Sequence, residues 1–218
     1  MLVTALLTTV LALLLAPPLR AQSGTRLDIT LPAADSRGKE APLLRSPNVF
    51  DDRAMDDLLV NGFPARLHYR LELWSTSGWF DHLKDQIEWD VIVRYNALDH
   101  HFTASRIVGK TITPLGTFTE LRAVEDAVGQ PFQPPMRAPT GHDKYYYNAV
   151  LNIEMLSVND LDEVERWLRG ELRPAVQGKK SPGTALTRGA KTLVVRLLGG
   201  EERHYEVRSE MFRPDEKK

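Results

Sequence analysis

Ala65-Arg66-Leu67-His68-Tyr69-Arg70-Leu71-Glu72-Leu73 decides the fold. Over these nine residues every odd position is apolar and every even one is polar or charged. An extended chain turns successive side chains to opposite faces, so the pattern predicts a strand with one buried and one wet face. The same period returns at Ile87, Trp89, Val91, Val93 and Tyr95, set against Glu88, Asp90 and Arg94, with Ile92 the exception. It returns again at Tyr145, Tyr147, Ala149, Leu151, Ile153 and Met155, set against Asn148, Asn152 and Glu154. Tyr146 then falls on the outer side of its strand as a partly exposed aromatic.

Turn residues separate these segments. Asn96–Asp99 predicts a hairpin whose returning arm is His101–Ile107, and Gly199-Gly200 predicts another between Thr192–Leu198 and Arg203–Met211. The basic residues of the first long strand and the acidic ones of the next suit cross-strand pairs, each worth about 0.2–1 kcal/mol. Pairing register is therefore set mainly by the apolar face.

Helices are fewer. Asp51-Asp52 opens a short one with Met55, Leu58 and Leu59 on one face, and Asn61-Gly62 stops it. Thr117-Phe118-Thr119-Glu120 matches a capping box, followed by Leu121, Val124, Val128 and a closing Gly129, which predicts about three turns. Ser157-Val158-Asn159-Asp160 starts a third, with Leu161, Val164 and Leu168 as its stripe and Gly170 as its end. Residues 33–42, 131–140 and 173–189 are rich in Pro, Gly and polar side chains and read as loops. Strands joined by short turns make antiparallel sheets, so the fold class is α+β, mainly antiparallel β with β-sandwich-like sheets and two to three short helices.

Composition bounds the function. The chain has 218 residues, 42% hydrophobic and 26% charged, which excludes a disordered tail and a multi-span membrane protein. A net charge of −1 supplies no basic footprint, so no nucleic-acid partner is expected. Leu2–Ala16 is an apolar run ended by Pro17-Pro18, shorter than the roughly 20 residues of a spanning helix and the size of a secretory leader's core. Residues 1–21 are therefore read as a signal peptide cleaved after Ala21, which sends the protein to the periplasm or the exterior. The alternative is an uncleaved N-terminal anchor. There is no Cys, so neither a lipoprotein anchor nor a disulfide is available, and stability must come from an ordinary core. About 200 residues suffice for that. The mature chain divides into a weakly ordered segment 22–47 with a short strand at Leu27–Leu31, a single β-rich domain 48–212, and a charged tail 213–218.

The order of these pieces carries a resemblance. Gly62-Phe63-Pro64 leads into Leu67–Leu73, Trp89-Asp90-Val91-Ile92-Val93-Arg94-Tyr95-Asn96-Ala97-Leu98 runs into a hairpin, Thr117–Val128 follows as a helix, and Tyr146–Met155 as a strand. Residues 27–156 resemble the exported bacterial domain-of-unknown-function family numbered 4390. The resemblance implies an envelope-linked role and brings no catalytic residues with it. The segments after Ser157 depart from that family's pattern.

Chemistry is sparse. Of six His, Asp99-His100-His101 sits at a turn and Gly141-His142-Asp143 in a loop. His100, His101 and His142 could serve a metal-assisted hydrolase only if three ligands converged. His68 and His204 fall on wet strand faces. No nucleophile elbow and no phosphate-binding glycine loop occur, and no cofactor is implied. Glu72 and Asp90 are placed to neutralise Arg66, Arg70 and Arg94. Trp74, Trp79 and Phe80 bracket the loop after the first long strand, where a rigid sheet end commonly presents binding residues. The expected function is an exported, non-catalytic binding or scaffold module whose partner is an envelope or membrane protein. Its candidate contact residues are Trp74, Trp79, Phe80, Arg66, His68 and Arg70. Unpaired Arg beside aromatics would mark that module. Converging His would mark the hydrolase. An enclosed apolar cavity of about 300 Å³ or more would mark a carrier of a small apolar ligand.

Overall fold

In the computed structural model, residues 24–77, 80–141, 143–156 and 203–214 are described. In chain order they form β1 (Asp28–Thr30), β2 (Leu43–Arg45), α1 (Arg53–Val60), β3 (Ala65–Ser77), β4 (Phe80–Asn96), β5 (His101–Val108), β6 (Thr111–Phe118), α2 (Leu121–Val128), β7 (Lys144–Met155) and β8 (Arg203–Arg208). Six strands make one antiparallel sheet in the order β6-β5-β4-β3-β7-β8, and β1 and β2 make a separate ribbon. The mainly antiparallel α+β class read from the sequence is the class observed.

The decisive stretch behaves as its pattern requires. Ala65, Leu67, Tyr69, Leu71 and Leu73 are all buried on one face of β3, with Trp89, Val91 and Val93 beside them on β4 and Tyr147, Ala149, Leu151 and Ile153 on β7. Full burial of a Leu side chain is worth roughly 1.5–3 kcal/mol, so the three Leu of β3 alone fix which face turns inward. The covering layer is assembled from small pieces. Met55 and Leu59 of α1, Val124 and Val128 of α2, Leu27, Leu44, Met136, Ala138 and Phe212 all join the same cluster. The segment before residue 48 thus closes the core through β1, β2 and a bridge from Leu44 to Phe132.

Local signals explain α1. Asp52 caps it, accepting from the Ala54 backbone N–H at 2.8 Å, and Gly62 leaves it at φ 92°, a conformation cheap only for glycine. The capping box expected at Thr117 does not form. Thr117 is paired with Thr103 inside β6, the N-cap of α2 is Glu120 with no side-chain cap bond, and the helix is eight residues long rather than three turns. Ladder pairing with β5 has claimed the residue that would have capped.

β6 itself has no apolar alternation to betray it, because it is an edge strand with Pro114 and Gly116 and most of its residues exposed. β3 and β4 also run further than the apolar pattern does. They pair out to Ser77 and Phe80, so the segment from Trp74 to Phe80 is mostly strand, not loop. The outer face is drier than expected. Ile92, Ile107 and Leu156 form a second small cluster there, which accounts for the exception at Ile92. Tyr146 is 6% exposed rather than partly open. The expected leader 1–21, the helix 157–170, the loop 173–189, the strand 192–198 and the tail residues Asp215–Lys218 lie outside the described residues.

Candidate functional site

The even-numbered side chains of β3 build the outer face of the sheet. Arg66 donates from Nε to Asp90 at 2.8 Å and from Nη1 to Glu154 at 3.0 Å, joining β3 to both neighbours. His68 Nδ1 lies 2.9 Å from the same Asp90 oxygen. Burial works against the carboxylate of Asp90, but the bond to His68 and the Arg66 guanidinium overcome it and hold its pKa below the ordinary value. Burial likewise opposes the charge on Arg66, and Asp90 with Glu154 reverses the sign. Glu72, also buried, accepts from Trp74 Nε1 at 3.0 Å and Asn148 Nδ2 at 3.2 Å. Arg70 Nε is 2.9 Å from Glu72 Oε1 with its N–H aimed elsewhere, a charge contact rather than a directed hydrogen bond.

Further toward the end of the sheet, side chains stack across strands. The Arg208 guanidinium lies 3.3 Å from the Tyr146 ring centroid, and Tyr146 stacks on Trp74 with centroids 6.4 Å apart and planes 4° apart. Leu83 sits opposite Trp74 on β4. Asp81 ties this end, accepting from the Tyr146 hydroxyl at 2.9 Å and lying 3.6 Å from Arg208. Burial first, and then the bond to Asp81, raise the Tyr146 phenol.

The expected contact residues therefore divide. Arg66, His68 and Arg70 are engaged within the sheet, so the unpaired arginines that were to mark the surface are not found among these three; pairing with Asp90 and Glu72 is found instead. Trp74 is half-buried on a strand, and Phe80 is 75% exposed as the first residue of β4. Trp79 lies outside the described residues. β5 pairs with β4 only from Trp89 to Asn96, so Phe80–Glu88 is paired through β3 alone among the described residues. Leu83 is exposed as well. It faces Trp74 while Phe80, three residues away, points to the opposite side of the ribbon. Beyond Leu83 the edge is interrupted by a bulge at Lys84, where Asp85 Oδ1 accepts from the Gln86 N–H at 2.8 Å.

Among the described residues the imidazoles do not make a centre. His100 has φ 53° and bonds the Tyr95 hydroxyl at 3.0 Å, and His101 bonds the Asp99 carbonyl oxygen. His142 lies outside the described residues, and among those described no group of three or more His, Asp or Glu could hold a metal ion. No hydroxyl nucleophile is bonded to His68 among the described residues. No described helix is long and apolar enough to cross a membrane.

The inner face carries one further feature, visible in the alternation of β5. Phe102, Ala104, Arg106 and Val108 share the inward side of β5, which places an arginine among apolar neighbours. Arg106 borders a recess of about 10 Å³, also lined by Ser46, Tyr69, Trp89 and Phe132. That is the room of one water, far below the roughly 300 Å³ of a ligand cavity. Comparison of the chain with family models, curated proteins and solved structures finds no match.

Proposed function

We propose that the protein is a non-catalytic binding module of the bacterial envelope that holds a partner protein along the β4 edge. The observation that carries this reading is the stretch Phe80–Leu83, paired among the described residues on one side only and flanked by two exposed apolar side chains, one on each face. A strand edge offers unmade backbone hydrogen bonds, and a short extended segment added there places its alternate side chains against Phe80 on one face and Leu83 on the other. Asp81, Lys84 and the bulge after Leu83 keep that edge short and charged, which disfavours edge-to-edge pairing of two copies and favours a short foreign segment. The leader-like first segment and the resemblance of residues 27–156 to an exported family support an envelope location.

The test is a photoactivatable residue placed in turn at Phe80, Leu83 and Leu98 in cells. Leu98 is also exposed, but it lies on the β4–β5 turn at the other end of the strand. Adducts to the same envelope protein from Phe80 and Leu83, and none from Leu98, are expected. Equal labelling from all three positions, or labelling only from Leu98, removes the edge as the contact.

A further inference from the structure

The inward-facing Arg106 is unlike the arginines of the outer face. The Arg66 and Arg70 guanidiniums lie against carboxylates, whereas the recess beside Arg106 is lined by aromatic and aliphatic side chains, two hydroxyls and the amide of Gln130. Its Cζ sits 4.0 Å from the Phe132 ring centroid, and its Nε is buried with no acceptor among the described residues. Across the recess the Ser46 and Tyr69 hydroxyls are joined at 2.6 Å, both on buried side chains. Two hydroxyls sharing one bond leave a second hydroxyl proton to donate elsewhere. Arg45 also lines the recess, and among the described residues no acidic one does. Burial lowers the Arg106 pKa and Tyr69 opposes the shift.

The Phe132 ring accounts for the face of the guanidinium but not for its edge. A ring quadrupole attracts the cation from above, while Nε–H donates in the guanidinium plane and needs an acceptor there. Half-buried Arg106 and the hydroxyl-bearing Ser46 and Tyr69 line one small opening. That is the complement of a single negatively charged oxygen. The room of about 10 Å³ admits one such atom.

We infer that the recess between Arg106, Tyr69 and Ser46 is a carboxylate-binding site, taking one oxygen of the ligand against the Arg106 guanidinium and a hydroxyl while the rest of the ligand stays at the mouth. The site is on the inner side of the sheet and is independent of the β4 edge. A free small carboxylate and the C-terminal carboxylate of a peptide share this chemistry.

The test follows the Arg106 Nε–H resonance during titration with sodium acetate, with sodium chloride and sodium sulfate as controls, and with acetyl-Gly-Gly as its free acid and as its amide. A saturable shift with acetate and with the free acid, and none with the amide, is expected. Acetate acting without the peptide acid assigns the site to small carboxylates, and both acting assigns it to chain ends as well. Arg106→Gln should abolish saturation, read on the Trp89 indole N–H. Should Arg106→Gln fail to fold, replacing both hydroxyls at once, Ser46→Ala with Tyr69→Phe, keeps the arginine and its ring contact and should weaken binding at least threefold. Shifts that grow linearly with every salt alike, or no shift with acetate, overturn the assignment. Unchanged acetate affinity in a folded Arg106→Gln protein does so too.

Discussion

Replacing Arg66 by Met separates an internal ion pair from a surface offered to a partner. Arg66, Asp90 and Glu154 have side chains 25%, 13% and 17% exposed. A fully exposed pair contributes about 0–1 kcal/mol, and removing one member of a buried pair costs about 3–5 kcal/mol, so this mostly buried site should lose about 2–3 kcal/mol. Methionine keeps much of the apolar stem, which confines the loss to the charge and its hydrogen bonds. The pH dependence has a definite sign. Asp90 has a folded pKa below its ordinary value, so the stability it contributes is present above about 3.9 and is lost as pH falls through the lower folded value. Without Arg66 that depression shrinks, and the gap between the two proteins should narrow toward low pH. Urea denaturation followed by Trp fluorescence at about pH 7 and about pH 3.5 measures both. Arg70→Met is the comparison, since Arg70 is 39% exposed and makes no directed bond to Glu72; it should cost under about 1 kcal/mol. If Arg66→Met costs no more than Arg70→Met, the network is not internal, and Arg66 returns to the contact surface.

Asp56 titrates in the opposite sense. Burial, and then Glu125, Asp57 and Asp51, raise it from 3.8 to about 6, so its favourable contribution is full below the unfolded value and is lost as pH rises through about 6. A two-unit shift bounds the effect near 3 kcal/mol and solvent screening reduces it to about 1 kcal/mol, so Asp56→Asn should gain about that much relative to the native chain between about pH 4 and pH 7. Parallel pH profiles for the two proteins would contradict this. Gly116 has φ 146°, and an added Cβ would stand 2.6 Å from the Phe118 ring, so Gly116→Ala should cost about 1–3 kcal/mol by the same denaturation assay. A fully stable alanine variant would show that β6 tolerates a shifted ring. Burial pushes Tyr69 and Tyr147 up to about 12, so in alkaline absorbance titration these two of six Tyr should ionise last, together with unfolding. Six phenols ionising together at about 10 would refute their burial.

What the sequence disclosed follows from which strands have one dry face. β3, β4 and β7 lie inside the sheet against the core, and their alternation is nearly unbroken. β6 is an exposed edge with Pro114 and Gly116, and β1 and β2 are three residues each, too short for any period to register. The capping box at Thr117 was a real local preference overridden by pairing with β5, since a short motif cannot see its neighbours in the sheet. Tyr146 was placed on the correct face but not recognised as covered, because Trp74 and Arg208 reach it from strands distant in sequence. The candidate surface was half legible. Phe80 and Trp74 were named, yet the property that distinguishes Phe80, an edge paired on one side among the described residues, depends on β4 outrunning β5 by nine residues at its start. Arg106 was legible in principle, as an arginine in the inward register of Phe102 and Ala104.

Hydrogen–deuterium exchange resolved at single amides across β4 tests the binding edge most directly, first in the purified protein and then with the partner that crosslinking identifies. The account predicts alternate amides between Phe80 and Leu83 that exchange freely in the isolated chain, beside protected ones from Trp89 to Val93, and slowing of the free amides by at least about tenfold in the complex. Amides of Phe80–Leu83 already as protected as those of Val91 in the isolated protein, or unaltered in the complex, would contradict it.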